Sequence, residues 1–365
     1  MPPMTHFGAF LIGLSSVVGI AGLAVTRDPV ASGRPGARSE PALADFRALA
    51  EAFVDTLSDR ERGAALRPLG DPERTTWYFA RGDRAGLFLR DMDPETRRAA
   101  LALVDAFLSA SGREQWRLIR RIEALNAEDE RRAGAAPPTY GDDLYAVHLF
   151  GSPLERAWAF EIEGHHFVLH AAVVDGVATV TPLFTGAYPA AVPRGADEGR
   201  RPLGAAVAVA FELARSLDAT QRAKARIMDR PPADVLWAVG ADARPPEPLG
   251  IARSELAAAQ QALVDRLLAE HAALLDERVA EAQLRRWREM RAKPDADPAT
   301  ADLVFAFVGE TDLAKPHYYR LATQCFTIEY DSTNADASHV HCVWSDPFMN
   351  FGGDALRKHL REAHR

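Results

Sequence analysis

Imidazoles crowd into two short stretches of the sequence, Gly164-His-His-Phe-Val-Leu-His170 and His339-Val-His-Cys-Val-Trp344, and the segment Ile328-Glu-Tyr-Asp331 lies just before the second. On a β-strand successive side chains point to opposite faces, so His339 and His341 share one face, and Glu329 and Asp331 share another set of alternate positions. His-x-His beside a carboxylate is a common way to gather ligands for a divalent metal. Imidazole suits zinc, copper, iron or nickel, and a carboxylate completes the set without favouring one. The candidate metal ligands are His166, His170, Glu329, His339 and His341. Glu329 and Asp331 are the candidates for acid-base or orienting roles. The implied cofactor is a divalent transition metal: zinc, copper or iron.

Strand register decides whether these groups meet. Phe326, Ile328 and Tyr330 form one apolar row, and Val340, Cys342 and Trp344 form another. Burying both rows on one side, with a loop from Asp331 to Ala337, sets Glu329 opposite or diagonal to His339 and puts His341 near Thr327. A register slipped by one residue brings Cys325 beside Cys342 but turns both histidines to the apolar side. Burying two unpaired imidazoles is costly and leaving two thiols free is not, which favours the first register. In the earlier block, Asp175-Gly176 predicts a tight hairpin pairing Val174 with Val177. Alternation then places Phe167, Leu169, Ala171, Val173, Ala178, Val180 and Phe184 on a core face. His166, His170, Thr179, Thr181 and Thr185 fall on a polar one.

Plainer roles compete for the same residues. Paired histidines on a polar strand face often only bond to solvent or neighbouring threonines. Glu329 has Arg320 as a partner in charge, and Asp331, Thr333 and Asn334 are expected turn formers.

The elements that must position these groups alternate in blocks, which is the signature of an α+β fold: antiparallel β meanders in two blocks, with segregated helices. Helical patterns fill residues 41–130, strands 144–185, helices 203–292, strands 302–346, and a closing helix 353–364, all within one domain spanning 31–365. Asp93 and Pro94 mark a helix start, with Gly112 beyond its end. The stretch Trp77 to Met92 reads as a short hairpin turning at Gly82 and Gly86. Laid over one another, the strand blocks match Phe167 with Phe326, Leu169 with Ile328 and His170 with Glu329. That match suggests related halves whose polar positions face related places.

A chain of 365 residues, 47% hydrophobic, is long enough for a full core. Its net charge of −8 carries no basic block or aromatic-basic interleaving, which argues against nucleic acid as a partner. An uncharged run from Phe7 to Val25, followed by a Pro/Gly/Ser-rich stretch, predicts an export signal or N-terminal anchor within residues 1–30. The membrane would be touched only through that segment. Only Cys325 and Cys342 exist to exploit an oxidising compartment. No glycine-rich phosphate loop, nucleophile-elbow serine or Cys-x-x-Cys occurs, which removes the corresponding nucleotide-binding, hydrolase and zinc-ribbon classes.

Four segments, Trp77 to Met92, Glu163 to Ala190, His317 to Asp346 and Phe351 to His364, resemble in order the bacterial and fungal family numbered 3500 among the domains of unknown function. The resemblance runs from Trp77 nearly to the end. It implies that the Gly-His-His, Ile-Glu-Tyr-Asp and His-x-His-x-x-Trp elements are characteristic, which marks His165, His166, Glu329, Asp331, His339, His341 and Trp344. It also implies departures here, at His170 where others carry Asn and at the two cysteines where others carry Ser. No activity comes with it. The expectation is an exported metal-dependent enzyme, hydrolase or oxidoreductase, acting on a small molecule or peptide. The alternative is a non-catalytic exported ligand-binding protein.

Overall fold

The computed structural model describes residues 46–237, 247–293, 301–332, 334–353, 355–357 and 359. The expected leader lies outside the described residues. Among those described, no helix is long and apolar enough to cross a membrane. The chain divides into two units at Leu43, and every described residue belongs to the second, Ala44–Arg365.

The architecture is α+β. Helices α1 (Phe46–Thr56) and α2 (Asp59–Ala65) lead into short strands β1 (Leu66–Arg67) and β2 (Leu87–Phe88). Next comes α3 (Pro94–Ala106), whose first turn is capped by Asp93 accepting from the backbone N–H groups of Glu95 and Thr96. Helix α4 (Ala110–Arg132) follows after three residues. Gly112 therefore lies inside α4 rather than beyond α3. A Cβ there would come within 1.9 Å of the Leu274 carbonyl oxygen, so close packing explains the glycine.

The first strand block is β3 (Ala146–Gly151), β4 (Ala157–Gly164), β5 (Phe167–Val174) and β6 (Val177–Ala187). Between the blocks lie α5 (Gly204–Ser216), α6 (Ala219–Ala225), β7 (Ile251–Ala252), α7 (Ala258–Ala272) and α8 (Glu277–Arg291). Asp276 breaks and recaps the long helical stretch between α7 and α8. The second strand block is β8 (Val304–Gly309), β9 (His317–Ala322), β10 (Thr327–Ser332) and β11 (Val340–Ser345). Of the expected closing helix, only 353, 355–357 and 359 are described, and these are helical.

The strands of the described residues join one sheet in the order β1-β3-β4-β5-β6-β11-β10-β9-β8-β7, with β2 on β3. Among the described residues, only the β1–β3 pair is parallel. The two four-stranded blocks meet through the antiparallel β6–β11 pair, so the second block reads outward from the middle in reverse order. One face of the sheet packs on the helices in a single large core containing Phe167, Leu169, Ala171 and Val173 with Ile328, Tyr330, Val340 and Cys342. The other face carries Glu161, Glu163, His170, Glu329, Asp331 and His341 among smaller apolar groups, all buried. Covalently distant segments cover it. Trp77 and Phe79 lie on Val168, Phe184, Val235 and Val343.

Three local expectations need correction. Residues 77–86 form no hairpin: only Leu87 and Phe88 pair with β3, and the aromatic residues before them serve as a cover for the second face instead of a strand partner. Phe184 and Thr185 exchange faces, because β6 holds an extra residue against β5 between the pairs Leu169–Leu183 and Ala171–Val180. Finally, β10 continues to Ser332, so each β10 residue faces a β11 residue four positions further along than expected. Asp331 sits directly opposite His341, Glu329 opposite Val343, and Thr327 opposite Ser345. Of the expected turn formers, Asp331 is a strand residue, Asn334 does lie in the turn, its carbonyl accepting from the Ala337 N–H at 2.8 Å, and Thr333 lies outside the described residues. Ser332, at the strand's end, has its Oγ accepting from the His317 backbone N–H at 3.0 Å. Both cysteines are buried and free.

Candidate metal centre

The centre lies where four strand ends meet. His165 and His166 form the two-residue turn between β4 and β5, with Gly164 paired to Phe167 on either side. They are turn residues, not the first positions of a strand, and His166 has a left-handed backbone, φ 65°. That conformation is uncommon for a residue with a side chain and is found at functional turns. It is held by hydrogen bonds on both sides: the His166 N–H donates to the Phe79 carbonyl at 3.3 Å, and its carbonyl accepts from the Gly186 N–H at 2.8 Å. His339 and His341 enter from the start of β11, with Gly186 of β6 paired beside His341. A Cβ on Gly186 would approach the Cδ2 atoms of His166 and His341 to 2.7 and 2.9 Å. Glycine there lets both rings lie against the bare backbone.

The rings converge. Nε2 of His166 and Nε2 of His339 are 2.9 Å apart. Ring centroids of His339 and His341 are separated by 4.5 Å, and those of His166 and His341 by 5.5 Å. Behind the turn, Glu123 of α4 places Oε1 at 2.9 Å from His165 Nδ1 and 3.0 Å from His166 Nδ1. This arrangement orients both imidazoles; in its carboxylate form Glu123 would accept from both Nδ1–H groups and leave the Nε2 atoms as lone-pair donors. His165, His166 and His339 form one group whose ligand atoms lie within 4.8 Å of one another. Asp234, Asp331 and His341 form another by the same measure.

Burial sets the protonation states. With Arg81 nearby, it pushes His165 down to about 2, and it holds His166 far below the ordinary imidazole range, with His165 adding to the effect. His339 is lowered to about 4 by burial and by neighbouring His341. The same burial raises the Glu123 carboxyl well above the usual range. Neutral imidazoles are what a metal ion requires, since no proton need be displaced. Asp234 runs against its surroundings: burial alone would raise its carboxyl, but the hydrogen bond from His341 Nδ1 at 2.8 Å holds it low. Around the rings stand Phe79, Phe184, Tyr140 and Tyr188. His165, His339 and Asp234 are the partly exposed members.

Of the sequence-derived candidates, the structure brings His166, His339, His341 and Asp331 together. Glu329 shares the sheet face with Asp331 and His341, but its carboxylate is engaged elsewhere. Oε1 accepts from the Tyr318 hydroxyl at 2.5 Å and Oε2 from the Trp237 N–H at 2.7 Å. His170 belongs to a different cluster. It pairs across the strands with Glu161, its Nδ1 3.6 Å from Glu161 Oε2, under the ring of Phe351. The halves explain this. Glu161–His170 and Arg320–Glu329 are cross-strand pairs at matching places in the two blocks, and the reversed strand order sets matching places apart instead of together.

Glu123, Asp234 and His165 complete the centre beyond the candidate set. Glu123 carried a signal, because it falls on the buried stripe of α4 with Trp116, Ile119 and Ile122, where a carboxylate needs a partner. His165 was marked only by family resemblance. Asp234 sits in a Pro-rich connector and carried no local signal.

Residues 40–353 match the family described as "Protein of unknown function (DUF3500)". The chain belongs to this family. No curated protein and no solved structure matches it. Family membership accounts for most of the chain, and it brings no reaction with it.

Proposed function

We propose that this member of the family is a metal-dependent enzyme, a hydrolase or an oxidoreductase, whose ion is held by His165, His166 and His339. The observation that carries this reading is the 2.9 Å approach of the His166 and His339 Nε2 atoms, with Glu123 behind the Nδ1 atoms of the turn. Two imidazole nitrogens facing each other across that gap need either a shared proton or a shared cation, and the carboxylate-backed tautomers favour the cation. An all-imidazole donor set suits zinc or copper, and iron when carboxylates join it. When bound, such an ion supplies Lewis acidity or activates water or dioxygen. The chain's own residues do the rest. Glu123 orients the two turn imidazoles, Gly186 admits the rings, and the aromatic rings of Phe79, Phe184, Tyr140 and Tyr188 restrict water around them.

The test uses the full chain prepared without a histidine tag. Metal analysis is expected to find a stoichiometric ion that His166→Ala and His339→Ala lose, together with turnover on ester, phosphoester or phenolic substrate panels that chelation abolishes. A folded chain that takes up no ion overturns the reading.

We further propose export, supported by the apolar run Phe7 to Val25 and the Pro/Gly/Ser-rich stretch after it. N-terminal sequencing of secreted or membrane-fraction protein tests it, and recovery of the intact chain from the cytosol alone contradicts it.

A further inference from the structure

The carboxylate of Asp331 is fully buried, and neither of its oxygens has a hydrogen-bond partner. Its neighbours make that worse. The carboxyl groups of Asp234 and Glu329 both act on it with like charge. The nearest group able to offset them is His341, whose Nδ1 lies 3.9 Å from Asp331 Oδ1 and is already engaged by Asp234 Oδ1 at 2.8 Å. A buried acid without a donor is expensive to keep, and natural structures resolve such groups with a partner, a proton or a metal ion.

We propose that Asp331, Asp234 and His341 form a second divalent-cation position, which joins the imidazole triad in a two-ion centre. The ligand atoms of these three residues lie within 4.8 Å of one another, close enough to converge on one ion. Two carboxylates and one imidazole make a harder donor set than the triad. They suit zinc, manganese or ferrous iron, whereas the triad leans to zinc or copper. The positions are adjacent because His339 and His341 are alternate residues on one strand, with ring centroids 4.5 Å apart. Two ions in adjacent positions would be able to stabilise both the attacking and the leaving oxygen of one displacement. The two-ion centre rests on the triad reading, but the Asp331 position does not.

The experiment titrates zinc and, separately, manganese into chelator-stripped full-length chain by calorimetry, with bound ions counted by mass spectrometry. Wild type is expected to take two zinc ions. Asp331→Asn and Asp234→Asn are each expected to take one, with the remaining affinity within a few-fold of wild type. His339→Ala is expected to keep the manganese-binding position. The half-exposed Asp234 provides a variant with little folding risk. One ion in wild type that survives Asp331→Asn but not His339→Ala overturns the second position and leaves the triad standing. One ion that survives His166→Ala but not Asp331→Asn overturns the two-ion centre and the triad together. Two ions that both survive Asp331→Asn, or none in wild type, also overturn the proposal.

Discussion

Nε2 of His166 and Nε2 of His339 lie 2.9 Å apart although 173 positions separate the residues in the chain. The contact joins the two strand blocks at their shared seam, between the β4–β5 turn and the start of β11. It depends on a backbone that neither histidine controls, because Gly186 leaves the space the rings occupy.

Gly186→Ala therefore tests the geometry without removing a ligand. The new methyl would meet His166, His341 and the Val340 carbonyl, each at less than 3.0 Å. Metal affinity should fall at least about tenfold, and stability by about 1–3 kcal/mol for overpacking. Zinc competition titration and urea unfolding read the two effects. Unchanged affinity would show that the rings do not need this approach.

Glu123→Gln should retain the fold, since the amide oxygen still accepts from one ring. Removing the carboxyl group behind His165 and His166, which a bound cation would draw into its ionised form, should weaken zinc binding by about 10–100-fold, the range typical of outer-shell partners. The measurement is the zinc dissociation constant beside a circular-dichroism melt. A loss of stability with full affinity would make Glu123 merely structural.

Glu329→Ala separates the sequence-level assignment from the observed one. As a structural acceptor, Glu329 satisfies the Tyr318 hydroxyl and the Trp237 N–H, both buried. Its loss should cost about 2–4 kcal/mol through two orphaned donors while leaving the metal count intact. A metal count lowered in folded protein would restore it as a ligand.

Three buried histidines away from the centre predict acid sensitivity. Burial lowers His148 and His271 to about 4 and, with Arg74 nearby, His170 to about 3. A folded-state pKa below the unfolded value of about 6.5 means the unfolded chain binds protons first. Stability should be level above that value and decline as the pH falls toward 4, by about 1.4 kcal/mol per unit for each group. For chelated protein, His271→Gln should shrink the difference in urea stability between about pH 7 and about pH 5 by about 2 kcal/mol. An undiminished difference would mean that His271 is not held neutral by the fold.

The fold class was legible because alternation is local. Strand after strand in both blocks declared itself through apolar residues two apart, and the hairpin at Asp175-Gly176 pairs Val174 with Val177 as its turn chemistry dictates. The shared side of Glu329 and His341 followed from burying Tyr330 and Cys342 together. Register was less legible, because Asp331 and Ser332 fall in the expected loop until strand partners such as His341 and His317 are known. The reach of His165 and His166 was hidden by reading a two-residue turn as strand. The placement of His170 depended on whether matching halves face together or apart, which only the β6–β11 seam decides. Glu123 showed only as a carboxylate on the buried stripe of a helix, with nothing to say what it meets, and Asp234 arrives by tertiary packing from a connector that no spacing rule covers.

The central claim is that a metal ion sits between the turn histidines and β11. Anomalous diffraction from crystals of the zinc-loaded chain, collected on both sides of the zinc edge, addresses it directly. The account predicts a peak about 2.0–2.1 Å from Nε2 of both His166 and His339, at the distance of a zinc–imidazole bond. Zinc-loaded crystals with no peak there, or with zinc only at surface residues, would contradict it.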